Sequence, residues 1–228
     1  MIGYIKKQPQ KRLFMTPKYK KSLFIFRRDL RLDDNTGLIQ ALNSSESVIP
    51  CFVFDPRQVG DENEYRATNC IQFMIESLQD LDEQLHKKNG KLYLFYGTAD
   101  EVVEKLIQEE KIDAVFTNRD YTPFSIKRDH KIAAICTKND CVFEQFDDAL
   151  LNAPEIVKTK TGTPYSVFTP FFKHCSSTFK VPTPQHTRHF PLYTKTIARA
   201  EPKKYTPMFC PIKIRIFMYM AAQVKLKN

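Results

Sequence analysis

The chain contains no tryptophan and only six glycines in 228 residues. Soluble proteins usually carry about 7 per cent glycine, so tight glycine-rich turns are scarce in this sequence. Neither the GxGxxG pattern of dinucleotide-binding turns nor the GxxxxGK(S/T) pattern of phosphate-binding loops occurs. The sequence therefore excludes a glycine-rich dinucleotide fingerprint and a P-loop.

Long apolar runs are absent as well. Residues 47–54 form one of the longest, which is far shorter than the roughly 20 residues that a membrane-spanning helix requires. Residues 1–21 are basic but hold no apolar segment of the length found in secretory signals. We therefore expect neither a membrane partner nor secretion.

The cysteines and histidines lack the spacings of metal sites. There is no CxxC pair, and the five histidines form no HxxxH or HExxH arrangement. We predict no metal site, and we interpret the cysteines as reduced, mostly buried thiols of an intracellular protein, either cytoplasmic or nuclear. The six are Cys51, Cys70, Cys136, Cys141, Cys175 and Cys210.

The formal net charge is +9, which ordinarily indicates an anionic partner such as nucleic acid. Most of the excess lies at the ends, because residues 1–21 hold seven basic residues and no acid, and residues 201–228 hold six against one acid. Residues 22–200 hold 22 basic and 25 acidic residues, so the body of the chain shows no sign of a DNA-binding groove. We interpret residues 1–21 as a disordered basic arm, with nuclear targeting or phosphate contact as the alternative.

From residue 22 the chain alternates short apolar runs with amphipathic segments. Five runs rich in Ile, Val, Phe and Tyr predict buried strands at 22–26, 48–54, 92–96, 114–118 and 141–146. Apolar residues spaced three and four apart predict helices at 71–85, 99–109 and 124–138. Parallel strands need long crossover connections. The pattern therefore predicts an α/β fold, a doubly wound five-stranded parallel sheet of the Rossmann-like kind.

The periodic pattern ends after Phe146. Residues 147–211 hold most of the prolines and little repeating apolar spacing, which is typical of an extended linker that wraps a domain or waits for a partner domain. The predicted organisation has four parts. They are a basic arm at 1–21, an α/β domain at 22–150, a linker at 151–211 and a tail at 212–228.

Two polar clusters follow predicted strands, where a doubly wound sheet binds its ligands. One runs from Arg27 to Asn35 and the other from Asn118 to Thr122. Two interpretations stay open. In one, Asp33, Asp34 or Asn35 caps the next helix while the arginines pair with nearby carboxylates. The second cluster then makes an Asx-type turn before Pro123 opens a helix. In the other, arginine and carboxylate beside a tyrosine bind a planar ligand such as a pterin or flavin ring.

Five blocks of sequence occur in a distinctive order across residues 22–175. They are Phe24 to Asn35, Phe54 to Gln58, Asn118 to Pro123, Arg128-Asp129 and Gly162 to Phe171. In content, order and spacing they resemble the DNA photolyase and cryptochrome family. The resemblance implies an N-terminal α/β antenna domain, followed by the linker that leads to a helical FAD domain.

The family's reaction is the light-driven repair of pyrimidine dimers in DNA. An antenna pigment passes excitation energy to reduced FAD, which donates an electron to a dimer flipped out of the duplex. In the family, the residues that bind FAD, bind the dimer and relay electrons belong to the helical half. The absence of tryptophan agrees with a missing helical half, because the family's electron relay and much of its dimer pocket are built from tryptophan. The resemblance thus implies a truncated, light-collecting half with no catalytic residue and no repair activity alone.

The resemblance carries three residues over as antenna contacts. Arg28 matches the position that contacts a deazaflavin-type pigment, and Asn118 and Asp120 match polar positions that line the antenna pocket. Folate-binding members carry a glutamate where this chain has Thr122, which puts methenyltetrahydrofolate in doubt, and the antenna type, deazaflavin or folate, stays open. Other contacts come from the helical half in the family, so we expect a pocket open on one side.

Three hypotheses of function follow. In the first, a separately encoded helical half completes the chain, and the chain contacts DNA only through that half. In the second, the chain is a stand-alone module that binds a nucleotide or a pigment. In the third, it is an inactive remnant.

The last residues of the chain indicate a frameshift. When residues 212–222 are translated back to codons and shifted by one base, the codons allow an amino-acid sequence that resembles the family's next block, so we expect a frameshift near residues 210–212. We also expect an exposed apolar face at Phe168, Phe171 and Phe172, and hence poor solubility.

Overall fold

The computed structural model describes residues 16–198 and residue 200. Within these residues five strands form one sheet. Their bounds are Tyr19–Phe26 (β1), Ser45–Phe54 (β2), Tyr93–Tyr96 (β3), Ala114–Asn118 (β4) and Val142–Phe146 (β5). The strand order is β3-β2-β1-β4-β5, and every neighbouring pair is parallel. The predicted doubly wound, five-stranded parallel sheet is confirmed.

Six helices lie in the same part of the chain. Their bounds are Thr36–Ser44 (α1), Pro56–Val59 (α2), Thr68–His86 (α3), Ala99–Glu110 (α4), Pro123–Lys138 (α5) and Phe168–Thr178 (α6). The start of α1 is capped by Asn35, whose side chain accepts a hydrogen bond from Leu38 N, and α5 opens with Pro123. None of the described helices is both long and apolar enough to cross a membrane.

The side chains of the central strand alternate between two apolar layers. Phe24 and Phe26 of β1 belong to the layer that also contains the buried residues of α1 and α3, and Leu23 and Ile25 belong to the layer beneath α4 and α5. Successive residues of a strand point to opposite faces of the sheet. Because both faces are covered, β1 reads as a continuous apolar run from Leu23 to Phe26.

Two strands begin three residues earlier than the pattern predicts, at Tyr19 and at Ser45. The added residues are polar, but they have partners within the fold. Ser45 Oγ donates to Ser22 Oγ at 2.8 Å, and Lys21 Nζ donates to the backbone oxygen of Glu110 at 2.8 Å. The first strand therefore starts inside the segment that the sequence assigned to the basic arm.

Strand β5 differs from its predicted burial. It lies at the edge of the sheet and pairs with β4 on one side. Val142 is 38 % exposed, and Phe143 and Phe146 are half-buried. The prediction of a strand at 141–146 is confirmed, but the prediction that it is buried is wrong. The other edge strand, β3, is more fully buried because the segment after α6 packs against it, with Tyr193 in contact with Tyr93.

The cysteines within the described residues are free thiols. Cys51, Cys136 and Cys141 are buried, Cys175 is partly buried and Cys70 is exposed. Burial raises the pKa of Cys51 well above its usual value. Most of these thiols are therefore buried, as the sequence predicted.

The predicted linker contains a helix that the sequence pattern did not reveal. Helix α6 holds none of the residues that are fully buried, and its side chains Phe168, Phe171 and Phe172 lie on the surface. Pro170 stands in its first turn, where a backbone N–H has no partner within the helix, so the proline does not break it.

The segment after α6 returns across the domain. Val48 N donates to Pro191 O and Tyr193 N donates to Val48 O, both at 2.8 Å, and Ile197 is buried in the layer beneath α4 and α5. This part of the predicted linker thus wraps the α/β domain. The predicted tail at 212–228, its proposed frameshift, and residues 1–15 of the predicted arm lie outside the described residues.

Candidate functional site

The strand order creates a switch point between β1 and β4. The chain runs from β1 through β2 to β3 on one side, and then returns to β4 on the other side of β1. Ligands of doubly wound sheets bind beyond the carboxyl ends of the strands at such a point. The loops after β1 and β4 carry the two polar clusters, from Arg27 to Asn35 and from Asn118 to Thr122. The fold therefore brings both predicted clusters to one edge of the sheet.

Asn118 ties these two loops together. It is 4 % exposed. Its Nδ2 donates to Asp29 Oδ2 at 2.5 Å and to Asn35 Oδ1 at 2.8 Å, and its Oδ1 accepts from Gly37 N at 2.9 Å. Both amide hydrogens are thus used inside the protein. Asn118 fixes the loop that follows β1, and its contact with a pigment stays a prediction.

A buried ion pair lies beside Asn118. Arg27 Nη2 donates to Asp129 Oδ1 at 2.6 Å and Arg27 Nη1 donates to Oδ2 at 2.9 Å, a fork-like pairing. The same carboxylate accepts from Arg128 Nε at 3.1 Å and from Gln145 Nε2 at 2.7 Å. Burial, followed by the nearby charge of Arg128, lowers the pKa of Arg27. Two guanidinium groups and one amide therefore share a single carboxylate.

A cleft of about 400 Å³ opens above these groups, between the ends of β1 and β2 and the start of α3. Its volume suits a small organic ligand. The lining of the cleft is mixed. Its apolar side chains include Phe52, Ile71 and Met74, and its charged side chains include Arg28, Asp55, Arg66, Asp120 and Arg128. The cleft can therefore contact both the face and the polar edge of a planar ring.

Arg28 and Asp120 meet at this cleft. Arg28 Nε lies 3.5 Å from Asp120 Oδ2, and most of the Arg28 side chain is exposed. Burial alone would raise the pKa of Asp120, but a hydrogen bond from the Ser125 side chain, another from Thr122 N, and the charge of Arg28 together lower it. Asp120 is therefore ionised at neutral pH and can accept a hydrogen bond from a ligand.

Residues 118–122 also form the Asx-type turn that was one of the two interpretations of this cluster. Asp120 Oδ1 accepts from Thr122 N at 3.2 Å, which is an Asx-type turn, and Thr122 Oγ1 accepts from Ser125 N at 3.3 Å at the start of α5. The hydroxyl of Thr122 is therefore used as a helix cap. The two interpretations of this cluster are therefore compatible, because Asp120 lines the cleft while its Oδ1 accepts the hydrogen bond of the turn.

The structure brings together all three residues predicted for the site, since Arg28, Asn118 and Asp120 line a second cleft at the switch point between β1 and β4. Arg28 and Asp120 also line the first cleft, whereas the amide of Asn118 donates to Asp29 and Asn35. Sequence reasoning did not assign a role in the site to Arg128 or Arg66, which also line the cleft. Arg128 stood in one of the matched sequence blocks, but nothing in its spacing indicated that α5 would place it at this edge.

A second surface feature is the aromatic face of α6. Phe168 is 73 % exposed and Phe172 is 57 % exposed, and their rings stack with centroids 5.9 Å apart. Tyr165 stacks on His174 at 5.6 Å. Clustered exposed apolar side chains of this kind mark interaction surfaces more often than single ones do.

Comparison with known proteins gives matches over most of the chain. The family model described as DNA photolyase matches residues 22–189. An uncharacterized 31.6 kDa protein of a Synechococcus strain is 34% identical over 184 residues, which are 79% of this chain and 63% of that protein. The deoxyribodipyrimidine photo-lyase of another Synechococcus strain is 33% identical over 165 residues, which are 72% of this chain and 34% of that protein.

A solved structure shows the same similarity. The photolyase of the archaeon Sulfolobus tokodaii, determined with two FAD molecules, is 39% identical with a TM-score of 0.69, and the match covers 77% of this chain and 38% of that one. The chain thus spans 63% of the first relative, and only 34% and 38% of the two photolyases.

Proposed function

Because the chain belongs to the DNA photolyase family, we propose that its α/β domain holds an antenna pigment in the cleft beyond β1 and β2. The observation that carries the proposal is the Arg28–Asp120 pair, which lines the cleft together with apolar side chains. Apolar side chains take the face of a planar ring, and the polar pair fixes the orientation of the ring through hydrogen bonds at its edge.

The residues of the cleft suit a flavin or deazaflavin ring. The guanidinium of Arg28 donates to ring carbonyl oxygens, and the ionised Asp120 accepts from a ring N–H. Folate-type pigments are less suited, because the hydroxyl of Thr122 is already used as the cap of α5. When bound, the ring supplies absorption of light, while this chain binds and orients it. The two FAD molecules of the Sulfolobus tokodaii photolyase support a flavin-type occupant.

We propose further that the domain serves the family's repair reaction through a partner, the FAD-bearing helical half. The exposed aromatic face of α6 supports a docking role, since Phe168 and Phe172 stack on each other at the surface. Residues 22–200 hold nearly equal numbers of basic and acidic residues. This supports contact with DNA through the helical partner and not through the α/β domain. In this proposal the pigment collects light and the partner repairs pyrimidine dimers.

Equilibrium dialysis tests the pigment proposal. The purified chain is dialysed against a deazaflavin, flavin mononucleotide and methenyltetrahydrofolate, and the bound pigment is measured by absorbance. We expect a flavin-type pigment to bind, and we expect Asp120→Asn to weaken it by about tenfold, the effect of losing one hydrogen bond to a charged group. Asp80→Asn changes the same group on the exposed part of α3 and should leave binding unchanged. Retention of no pigment, or equal binding by Asp120→Asn, overturns the proposal.

A second experiment tests the repair role. The chain is mixed with the helical half of a photolyase relative and assayed for light-dependent dimer repair. We expect repair by the mixture that is faster than repair by the helical half alone. Pigment binding without any gain in repair would favour the alternative, a stand-alone pigment-binding module.

A further inference from the structure

Helix α5 ends in a turn that brings two cysteines together. Cys136 lies in the last turn of the helix, and Cys141 comes directly before β5. The backbone N–H of Cys141 donates to the carbonyl oxygen of Cys136 at 2.9 Å, and Asp140 N donates to Thr137 O at 3.4 Å. Asp140 takes a left-handed φ of 52°. These features define a Schellman motif, in which the side chains at the two ends of the outer hydrogen bond frequently contact each other.

Both side chains at these two positions are thiols. They belong to the apolar layer beneath α4 and α5, where Cys136 is 1% exposed and Cys141 is 7% exposed. A hydrogen bond from the Cys136 thiol lowers the pKa of Cys141, against the opposing effects of burial and of the Asp113 charge. The same hydrogen bond, together with burial, raises the pKa of Cys136. Cys141 is therefore the sulfur of the pair that loses its proton more readily, and the thiolate is the reactive form of cysteine.

Cys141 also lies closer to solvent than Cys136. The residues on either side of it, Asp140 and Val142, are exposed. Strand β5 stands at the edge of the sheet, so a small oxidant can approach Cys141 from this edge. Cys136 needs no approach of its own, because its reaction partner is the sulfur of Cys141. The pair thus has the arrangement of a reactive cysteine with a second, resolving thiol beside it.

We propose that Cys136 and Cys141 form a redox modification site, at which hydrogen peroxide converts the two thiols to a disulfide. First, the Cys141 thiolate attacks one peroxide oxygen: an S–O bond forms, the O–O bond breaks, and hydroxide leaves and takes up the proton that Cys141 released. Second, the Cys136 sulfur attacks the Cys141 sulfur: the S–S bond forms, the S–O bond breaks, and hydroxide leaves as water with the proton of Cys136. Two thiols are oxidised and one peroxide is reduced to two waters, and a dithiol reductant reverses the change.

The disulfide closes a short ring, residues 136–141, across the junction of α5 and β5. The backbone hydrogen bond between Cys141 and Cys136 already holds the two ends of this ring together, so the bond forms without rearrangement of the sheet. A disulfide restricts the unfolded chain less when its ring is short. We therefore expect the site to respond to oxidation and reduction, and not to be a main support of the fold.

Peptide mapping of the folded chain tests the proposal. The purified chain is treated with hydrogen peroxide, its remaining thiols are alkylated in denaturant, and its tryptic peptides are identified by mass spectrometry. Lys138 lies between the two cysteines, so trypsin separates them into peptides 132–138 and 139–158, which only a disulfide keeps together. We expect this linked pair, and we expect dithiothreitol to separate it. Because the thiolate is the form that reacts, the pair should oxidise at least about tenfold faster than Cys51, whose pKa burial raises.

Two variants separate this disulfide from other thiol reactions. Cys70→Ser removes the exposed cysteine of the described residues and should leave the linked pair unchanged. Cys136→Ala removes the resolving thiol, so peroxide should leave Cys141 as a sulfenic acid, which dimedone labels. If Cys136→Ala does not fold, the mapping of the unaltered chain still decides the question.

Three outcomes overturn the proposal. The first is a linked pair that forms only in the urea-unfolded chain. The second is a folded chain in which both cysteines are still fully alkylated after peroxide treatment. The third is an oxidised chain that unfolds at a lower urea concentration than the reduced chain, because the disulfide then requires a distorted fold. Each is independent of pigment binding in the cleft, which equilibrium dialysis tests separately.

Discussion

The backbone N–H of Gly37 donates to Oδ1 of Asn118 at 2.9 Å, and this bond joins the first turn of α1 to the end of β4. The approach is so close that a Cβ atom added to Gly37 would lie 2.5 Å from Asn118 Oδ1. Glycine is thus required here by space, not by backbone conformation. The same Asn118 side chain donates to Asp29, so this hydrogen bond also holds the loop after β1 that carries Arg28.

Gly37→Ala should destabilise the chain by about 1–3 kcal/mol, because the new methyl group displaces the Asn118 amide from a packed position. Urea denaturation followed by circular dichroism measures the loss. Gly162→Ala isolates the other cause of loss at a glycine, since an added Cβ there meets nothing within 4 Å and its effect comes from the φ of +80° alone. A Gly37→Ala variant as stable as the parent chain would show that Asn118 can move aside without loss of stability.

Asp129→Asn should cost about 3–5 kcal/mol, the usual effect of removing one partner from a buried ion pair. The variant leaves Arg27 and Arg128 facing each other without a carboxylate. Asp80→Asn, on the exposed part of α3, should change the free energy of unfolding by no more than about 0.5 kcal/mol. Similar effects of the two changes would contradict the structural importance of the pair.

The acid stability of the chain should depend on Asp120. Its pKa in the folded chain is lowered, so its contribution to stability is present above the ordinary pKa of about 4 and is lost as the pH falls through the folded value. Between about pH 6 and about pH 3, the urea midpoint of Asp120→Asn should therefore fall less than that of the parent chain. Parallel pH profiles for the two proteins would contradict the assigned hydrogen bonds.

The aromatic face of α6 should control the solubility of the chain. The double variant Phe168→Ser and Phe172→Ser should bind less hydrophobic dye and precipitate less, with the urea midpoint unchanged, because α6 holds no fully buried residue. Phe73→Ser is the matched control, since Phe73 is 74 % exposed but lies on α3. Dye binding that drops equally in the control would show that no patch exists on α6.

Most of the fold could be predicted because strands buried on both faces leave a simple apolar pattern. The early start of β2 could not be predicted, because Ser45 is accommodated by a hydroxyl of Ser22 on the neighbouring strand. The turn after α3 could not be predicted either, because Asn89 takes the positive φ while Gly90 leaves room for the side chain of Leu192. Such contacts join residues that are distant in sequence.

The candidate site was predictable only in part. Arg28 and Asp120 follow the two strands that flank the switch point, so the topology rule places them together. The inward turn of Asn118 depends on the position of Gly37, and the unpartnered nitrogen of Arg128 depends on how Arg27 uses Asp129. Neither relation leaves a signal in local spacing.

The most direct test of the account is a fluorescence titration of Tyr65→Trp with flavin mononucleotide. Tyr65 lines the cleft and is 93 % exposed, and the chain has no other tryptophan, so the indole would be a single reporter at the site. The account predicts saturable quenching of the indole by a single bound flavin, with a midpoint shifted about tenfold by adding Asp120→Asn. Quenching that rises without saturation, and equally in both proteins, would contradict a pigment site in this cleft.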